Sequence, residues 1–555
     1  MSISTTNQAL LQEATSALFS RQFYAPFPEH PSPKTYGETA DADGQAAYAA
    51  QLGKPFCGLN AGIGASWVGH ELSPYIQSPL GITYPALSVD TYIEQAKAAS
   101  QIWANLSADD RADILIESLM AVRDRFFEIA YATMHTTGQG YMMAFQASGP
   151  HAADRALEAI AMAHHELTRF TTETIWDKPM GKTNITLRKW WKAVPKGINV
   201  VVGCATFPTW NTVPGMYAGL MTGNPVIIKP HPSAILPIAI VVAELQKVLA
   251  SRGLDVNICQ LAPDTLQDPI TKELVQHPAV KLIDYTGGTQ FGNWIEALPG
   301  KITFTEKAGI NSVVLESVDD IDAVVQNLAF SVCLYSGQMC TAPQNFFVPA
   351  SGIKIPTGQV TPAEFAQKLS AGITALVENP KAGPFVLGAI QNPATLMRVS
   401  QVDQLPDVEV ILASRVVSNP QFAEARTASP TVLLTDIDNE KVYGAELFGP
   451  IAFVISCPDA ETALSKTASL IEGHGAISCG VYSTDVQIRN QAAELIASVG
   501  APVSFNLTGG IYLNQHASFS DFHVTGGNPA GNASFTNPSF VLQRFTLVGL
   551  REPVQ

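Results

Sequence analysis

"INVVVGCATFPTWNTVPGMYAGLMTGNPVIIKP", Ile198 to Pro230, is the stretch from which the fold can be read. Two short apolar runs rich in β-branched residues, "INVVVG" and "NPVIIKP", enclose a segment of helical length. The pattern repeats in "VNICQL" (256–261), "VKLIDYTG" (280–287) and "KITFTE" (301–306). Ser233 to Ser251 reads as a helix, and Gly253 follows as its stop. Strands alternating with helices predict a parallel, doubly wound α/β sheet. Such sheets bind ligands beyond the carboxyl ends of their strands. No GxGxxG follows the first strand. Instead "TGGTQFG" (286–292) sets Gly287 and Gly292 between a strand and a helix. It reads either as a tight turn or as a helix N-terminus that meets a pyrophosphate.

After Glu306 the alternation resumes in "NSVVLES", "GPFVLGAI", "DVEVILA", "PTVLLTDI" and "IAFVISC", predicting a second α/β region to about Ser504. Upstream, the first 85 residues or so, with the proline-rich "YAPFPEHPSPKTYGE", read as an irregular, extended arm. Ser107-Ala108-Asp109-Asp110 resembles a capping box, and Leu115, Leu119, Val122 and Phe126 recur at helical spacing. The tail is rich in Gly, Asn and Ser, then strand-like from Ser539 to Leu550.

The chain of 555 residues carries 33 Lys and Arg against 48 Asp and Glu, a net charge of -15. That balance repels polyanions, so neither nucleic acid nor an anionic membrane surface is an expected partner. The seven cysteines form no CxxC and no zinc-type spacing, so no metal site is expected. A reducing cytoplasm is the expected compartment. The N-terminus shows no signal-peptide pattern. The longest apolar stretch, Ala234 to Leu245, is too short to span a membrane.

"FSVCLYSGQMCTAPQNFF" (330–347) holds two thiols seven positions apart. Cys333 lies in an apolar run and reads as core. Cys340 follows Gly337 and Gln338, residues that favour a turn and open access to the backbone. A reactive thiol needs access, a route to thiolate and help for the oxyanion it creates.

Several motifs in order give this thiol a context: "ATFPTWNTVPGMYAGLMTGNPVIIKPHPSA" with a Phe-Pro turn, a Gly-Asn dipeptide and Lys229, "FTEKAGINSVVLE" with Glu306, the Cys340 loop, and "AELFGPIAFVI" with Glu446 and Phe448. Together they resemble the aldehyde dehydrogenase superfamily, from about Pro85 to the C-terminus. Within it, "TFPTWN" and "LNQHASFSDFHVTGGNPAGNASF" are most similar to the phenylacetic-acid-degradation type, PaaN, without the fused hydratase domain of its larger relatives. The resemblance implies two doubly wound α/β domains plus a β bridging element: an arm to 85, a cofactor domain over 86–305 with a bridging hairpin near 180–197, a catalytic domain over 306–503, and an oligomerisation tail over 504–555. It implies that Cys340 attacks an aldehyde, that hydride passes to a nicotinamide, and that Glu306 activates the water that hydrolyses the thioester. Lys229 would hold the adenosine ribose, and Glu446 and Phe448 the nicotinamide end. The implied substrate is the ring-opened CoA-linked semialdehyde of phenylacetate breakdown, 3-oxo-5,6-dehydrosuberyl-CoA semialdehyde. A homodimer or larger assembly is implied, with Ser539–Leu550 pairing to a neighbour's sheet.

Three departures from the family pattern stand out. Pro232 replaces the acidic residue common three positions after the lysine in NAD-preferring members, which lifts repulsion toward a 2′-phosphate and favours NADP, with NAD possible. Thr206 stands where the family uses an Asn for the oxyanion. Asn211 reaches the site only if its loop folds back. "EKAGIN" replaces the usual Glu-Leu-Gly-Gly-Lys. A CoA-acylating enzyme and an inactive scaffold subunit are the alternatives. "LRKWWKAVPK" (187–196) reads as the bridging hairpin or as a pocket for an acyl-CoA.

Overall fold

The computed structural model describes residues 3–62 and 64–554. Five parallel strands form one sheet, in the order Cys259–Leu261, Val226–Lys229, Ile198–Val202, Val280–Thr286, Ile302–Glu306. The strand first in sequence lies at the centre, so its neighbours were added outward on either side by crossover helices. Leu236–Ser251 is one of these helices and is buried almost all round. It packs against the sheet strand Cys259–Leu261 on one side and the helices Ala108–Arg123 and Phe126–Thr137 on the other. An all-round apolar helix needs that second cover.

A second sheet of seven strands runs Glu409–Leu412, Thr431–Asp436, Ile451–Cys457, Asn345–Pro349, Ser312–Leu315, Cys479–Tyr482, Ser504–Phe505. Only Glu409–Leu412 is antiparallel to its neighbour. A third, antiparallel sheet joins Phe545–Pro553, Thr183–Pro195 and Glu173–Met180. The tail is anchored to the first sheet by Arg544, fully buried, whose guanidinium donates to Asp284 Oδ1 at 2.6 Å, Asp284 Oδ2 at 2.9 Å and Asn199 Oδ1 at 2.6 Å. A buried guanidinium is tolerated only with such a set of acceptors.

Four local expectations are corrected. The first 85 residues are not merely an extended arm: Thr5–Ser20 and Ala40–Gln51 are helices. Ser4 caps the first through Asn7 N–H, and Leu11, Ala14 and Leu18 bury toward helix Pro150–Thr168. "GPFVLGAI" forms a short helix, Gly383–Leu387, rather than a strand. Pro384 in its first turn suits a helix start and cannot donate to a sheet ladder, and Gly388 at φ 62° ends it. In "VNICQL", Asp255 caps a 3₁₀ turn over Val256–Ile258, leaving the strand only Cys259–Leu261. In the tail, Ser539–Leu542 is helical, and the strand is Phe545–Pro553, which pairs with Thr183–Pro195 of its own chain and lies at an edge of that sheet. By contrast Ser107 does cap Ala108–Arg123, accepting from Asp110 N–H at 3.0 Å, and Leu115, Leu119, Val122 and Phe126 are buried.

Candidate active site

Glu306 ends the edge strand of the five-stranded sheet. That edge would otherwise be open, and the tail covers it: Thr305 N–H donates to Asn532 Oδ1 at 2.7 Å, and Lys307 N–H to Ala530 O at 2.6 Å. The same tail delivers His523 to the carboxylate. Glu306 is buried, and it accepts from Asn211 Nδ2 at 2.9 Å and pairs with His523 Nε2 at 3.1 Å. Burial alone would raise the Glu306 carboxyl. His523, with hydrogen bonds from Cys340 and Asn211, holds it below its ordinary value.

Cys333 closes helix Ile321–Cys333 and is fully buried among Val332, Leu328 and Phe346. The chain then makes a left-handed reversal through Tyr335 (φ 52°), Ser336 (φ 50°) and Gly337 (φ 64°). Only glycine fits at 337, because a Cβ there would sit 2.4 Å from Gly449 O. Asn311, from "EKAGIN", then clasps the next turn. Its Nδ2 donates to Cys340 O at 2.7 Å and Ala342 O at 3.0 Å, while its Oδ1 accepts from Ile477 and Ser478 N–H at 2.9 Å each. The result places Cys340 Sγ, half-buried, 3.7 Å from His523 Nε2 and against Glu306. Burial first, then the Glu306 charge, push the Cys340 thiol well above its ordinary value. The thiol ionises only if a neighbour takes its proton.

The loop after Ile198–Val202 folds back through Thr209 and Asn211. The structure therefore brings Asn211 into the centre, on Glu306, with Cys204 Sγ donating to its Oδ1 at 3.7 Å. Thr206 turns away: its carbonyl accepts from Gln139 Nε2 at 2.7 Å, and its hydroxyl serves Cys204.

Farther out lie the groups expected to hold a nucleotide. Lys229 is buried at its strand end, with Nζ 2.6 Å from Asp264. Asp264 supplies to that lysine the carboxylate that Pro232, itself buried, does not. His231 is half-buried, and burial, then Lys229, push it down to about 4. Between Val280–Thr286 and helix Thr289–Glu296, Gly288 occupies the N-cap position without a side chain to satisfy the helix N–H groups, and the space around its Cα is open. That end of the helix suits a pyrophosphate. Gly287 and Gly292 serve the turn itself, since a Cβ would meet the Tyr285 hydroxyl at 2.4 Å or the Lys307 stem at 2.6 Å. Burial raises Glu446 to about 7, and the Phe448 carbonyl accepts from Arg398. A small pocket beside the centre is lined by Asn211, Tyr285, Glu306, His523 and Phe535.

Sequence reasoning assigned no role to His523, Asn311 or Asp264. Glu306, Cys340 and His523 have donor atoms within 4.8 Å of one another, a compact set that local metal-type spacing cannot reveal. Their mutual hydrogen bonds account for the arrangement. The signal for His523 was present only as two histidines, His516 and His523, in a Gly- and Ser-rich tail.

Two α/β lobes meet at a half-buried thiol, a buried carboxylate and a buried amide. The particular family follows: the aldehyde dehydrogenase family model matches residues 82–530, and the chain belongs to that family. It is an aldehyde dehydrogenase, an oxidoreductase. Its structure matches that of an NAD-dependent aldehyde dehydrogenase from Burkholderia multivorans with a TM-score of 0.96 and 42% identity, covering 99% of this chain and 98% of that one. It is 22% identical over 494 residues to benzaldehyde dehydrogenase [NAD(+)] of Pseudomonas putida, covering 85% of this chain and 93% of that protein. It is 26% identical over 395 residues to N-succinylglutamate 5-semialdehyde dehydrogenase of Ectopseudomonas mendocina, covering 69% and 74%.

Proposed function

We propose that this enzyme oxidises an aldehyde to the carboxylic acid with Cys340 as nucleophile and Glu306 as base. The observation that carries the reading is the single hydrogen-bonded cluster of Cys340, Glu306 and Asn211. Cys340 Sγ attacks the carbonyl carbon, and the Asn211 amide lies beside the reacting atoms. A bound nicotinamide supplies the hydride acceptor. Glu306 then takes a proton from water, which cleaves the thioester and frees the acid. Retention of Glu306 favours hydrolysis over acyl transfer to CoA, and product formation without added CoA tests that choice. The intact cluster likewise speaks against an inactive scaffold.

Lys229, Gly288 and Glu446 are the groups proposed to hold the dinucleotide, with Phe448 at the nicotinamide end. Pro232 alone favoured NADP. Asp264 restores a carboxylate beside Lys229, which would repel a 2′-phosphate and accept from ribose hydroxyls, so NAD is the better-fitting cofactor. The proposed aldehyde remains the CoA-linked semialdehyde, on the strength of the PaaN-like "TFPTWN" and tail blocks. The basic groups of 187–196 are already engaged: Arg188 with Glu173 and Glu552, Lys189 over Trp176, Lys192 with Asn105, Lys196 with Thr546. They favour a structural hairpin over a CoA pocket. Its exposed Trp176, Trp191 and Leu547 share one side of the sheet and supply an apolar face suited to a second copy of the chain. Among the described residues no helix is long and apolar enough to cross a membrane. A cytoplasmic setting fits seven free cysteines. Reduced-cofactor formation over an aldehyde panel containing the semialdehyde, with NAD and NADP in parallel, is the test. A strong preference for simple aromatic aldehydes would reject the CoA-linked substrate.

A further inference from the structure

The His523 ring touches both reacting side chains through one nitrogen. Nε2 lies 3.1 Å from Glu306 Oε1 and 3.7 Å from Cys340 Sγ. Its other nitrogen, Nδ1, lies 3.1 Å from His516 Nδ1. The ring is 3% exposed, with Trp210 edge-on at 4.6 Å and Phe535 stacked at 6.0 Å. It has no freedom to choose other partners.

The protons follow from these contacts. Two ring nitrogens 3.1 Å apart must share one hydrogen, so one histidine donates to the other. Burial, then His523 and Arg155, hold His516 well below its ordinary value, so it is neutral near pH 7. Glu306 is ionised there, and a carboxylate only accepts. Nε2 of His523 therefore carries the hydrogen facing Glu306. Its Nδ1 is hydrogen-bonded to His516 Nδ1, and that bond holds the ring with Nε2–H toward Glu306.

We propose that His523 is a further catalytic residue, whose Nε2–H stabilises negative charge on Glu306 and then on Cys340 as that charge moves between them, and that His516 is a positioning residue holding the ring in that orientation. This rests on the reading of Cys340 as nucleophile and Glu306 as base. The step balances without an outside reagent. The Sγ–H bond breaks, an O–H bond forms on Glu306, and the charge passes from carboxylate to sulfur. The Nε2–H is in reach of both ends of that transfer. Before hydrolysis Glu306 releases that proton to solvent; it then takes a proton from the attacking water, and the sulfur leaves as thiolate with the negative charge on Cys340. A thiol raised by burial and by an adjacent carboxylate needs such a donor, because otherwise the thiolate forms without a partner. The other polar or charged groups around the pair are Cys204 and Asn211 from the loop after Ile198–Val202, Arg155 over Trp210, and Glu446 from the second lobe. None of them places a second N–H between sulfur and carboxylate.

The test reads the thiol directly, without aldehyde or cofactor and with a chelator present. Cys340 alkylation by iodoacetamide is followed by peptide mass spectrometry from acid to alkaline pH, with Cys340→Ala as background. His523→Ala is expected to move the midpoint upward by about one pH unit, slowing alkylation near neutrality about tenfold. His523→Gln keeps an N–H donor and recovers most of the rate. His516→Ala frees the ring's orientation and slows alkylation about threefold. Wild-type profiles in His523→Ala overturn the proposal. If His523→Ala does not fold, His516→Ala decides, and an unchanged profile there overturns it. Failure of the underlying reading looks different: wild-type Cys340 would then react no faster than exposed Cys57, and no aldehyde would be oxidised.

Discussion

Cys333 and Cys340 are seven residues apart and live in opposite environments. The first ends a helix and is sealed among aliphatic and aromatic side chains, and burial alone raises its thiol. The second follows three consecutive left-handed residues and faces a carboxylate and an imidazole. Burial raises both thiols. What separates them is the proton's destination, and only the Cys340 side has one. The reversal at Tyr335–Gly337 is therefore the structural event that sets one of two similar thiols beside a carboxylate and an imidazole.

The largest expected effect breaks the comparison outright. Cys340→Ala should lower kcat by about 10⁴-fold or more, as removal of a nucleophile does. Cys333→Ala should leave kcat within about twofold and cost about 1 kcal/mol in a denaturant titration, through the small cavity it leaves. Next, Glu306→Gln should lower steady-state turnover by about 10²–10⁴-fold, the usual worth of a general base. The third contrast lies within one loop. Asn211→Ala removes a charge-assisted hydrogen bond to Glu306, worth about 1.5–3 kcal/mol, and kcat/KM should fall about tenfold to a hundredfold. Thr206→Ala, acting on a residue turned toward Cys204, should change it by less than about threefold.

The smallest effect concerns Glu446, raised by burial to about 7. Below that pH it is a neutral acid, and above it a carboxylate able to accept from ribose hydroxyls. KM for the dinucleotide should fall as pH rises through about 7, and Glu446→Gln should abolish the dependence. Linkage has the opposite sense for stability. The folded state holds this proton more tightly than the unfolded state, so the Glu446 contribution declines as pH rises from about 4.5 through about 7. Melting curves of wild type and Glu446→Gln across that window read it.

The two sheets were legible in the sequence because each buried strand is a run of β-branched residues with a helix between it and the next, as in "INVVVG" and "NPVIIKP". Glu306 and Cys340 were legible as a pair only through a resemblance, since nothing local joins residues 34 positions apart. His523 was out of reach. It comes 183 residues after Cys340, carried by a tail whose strand-covering role depends on an edge that exists only in the folded sheet. Asp264 was missed for a similar reason: the carboxylate was sought three positions from Lys229 in sequence, and it arrives from the loop after the neighbouring strand Cys259–Leu261. "GPFVLGAI" was misread because a short apolar run does not distinguish strand from helix, and Pro384 was the discriminating residue.

The most direct test of the account is a single-turnover experiment on Glu306→Gln mixed rapidly with aldehyde and the dinucleotide. The account predicts a burst of reduced cofactor approaching one equivalent per active site, followed by slow turnover, because the thioester forms at Cys340 and waits for water. Cys340→Ala should give no burst. A burst of equal size in Cys340→Ala would contradict it, as would its absence in Glu306→Gln when the wild type turns over.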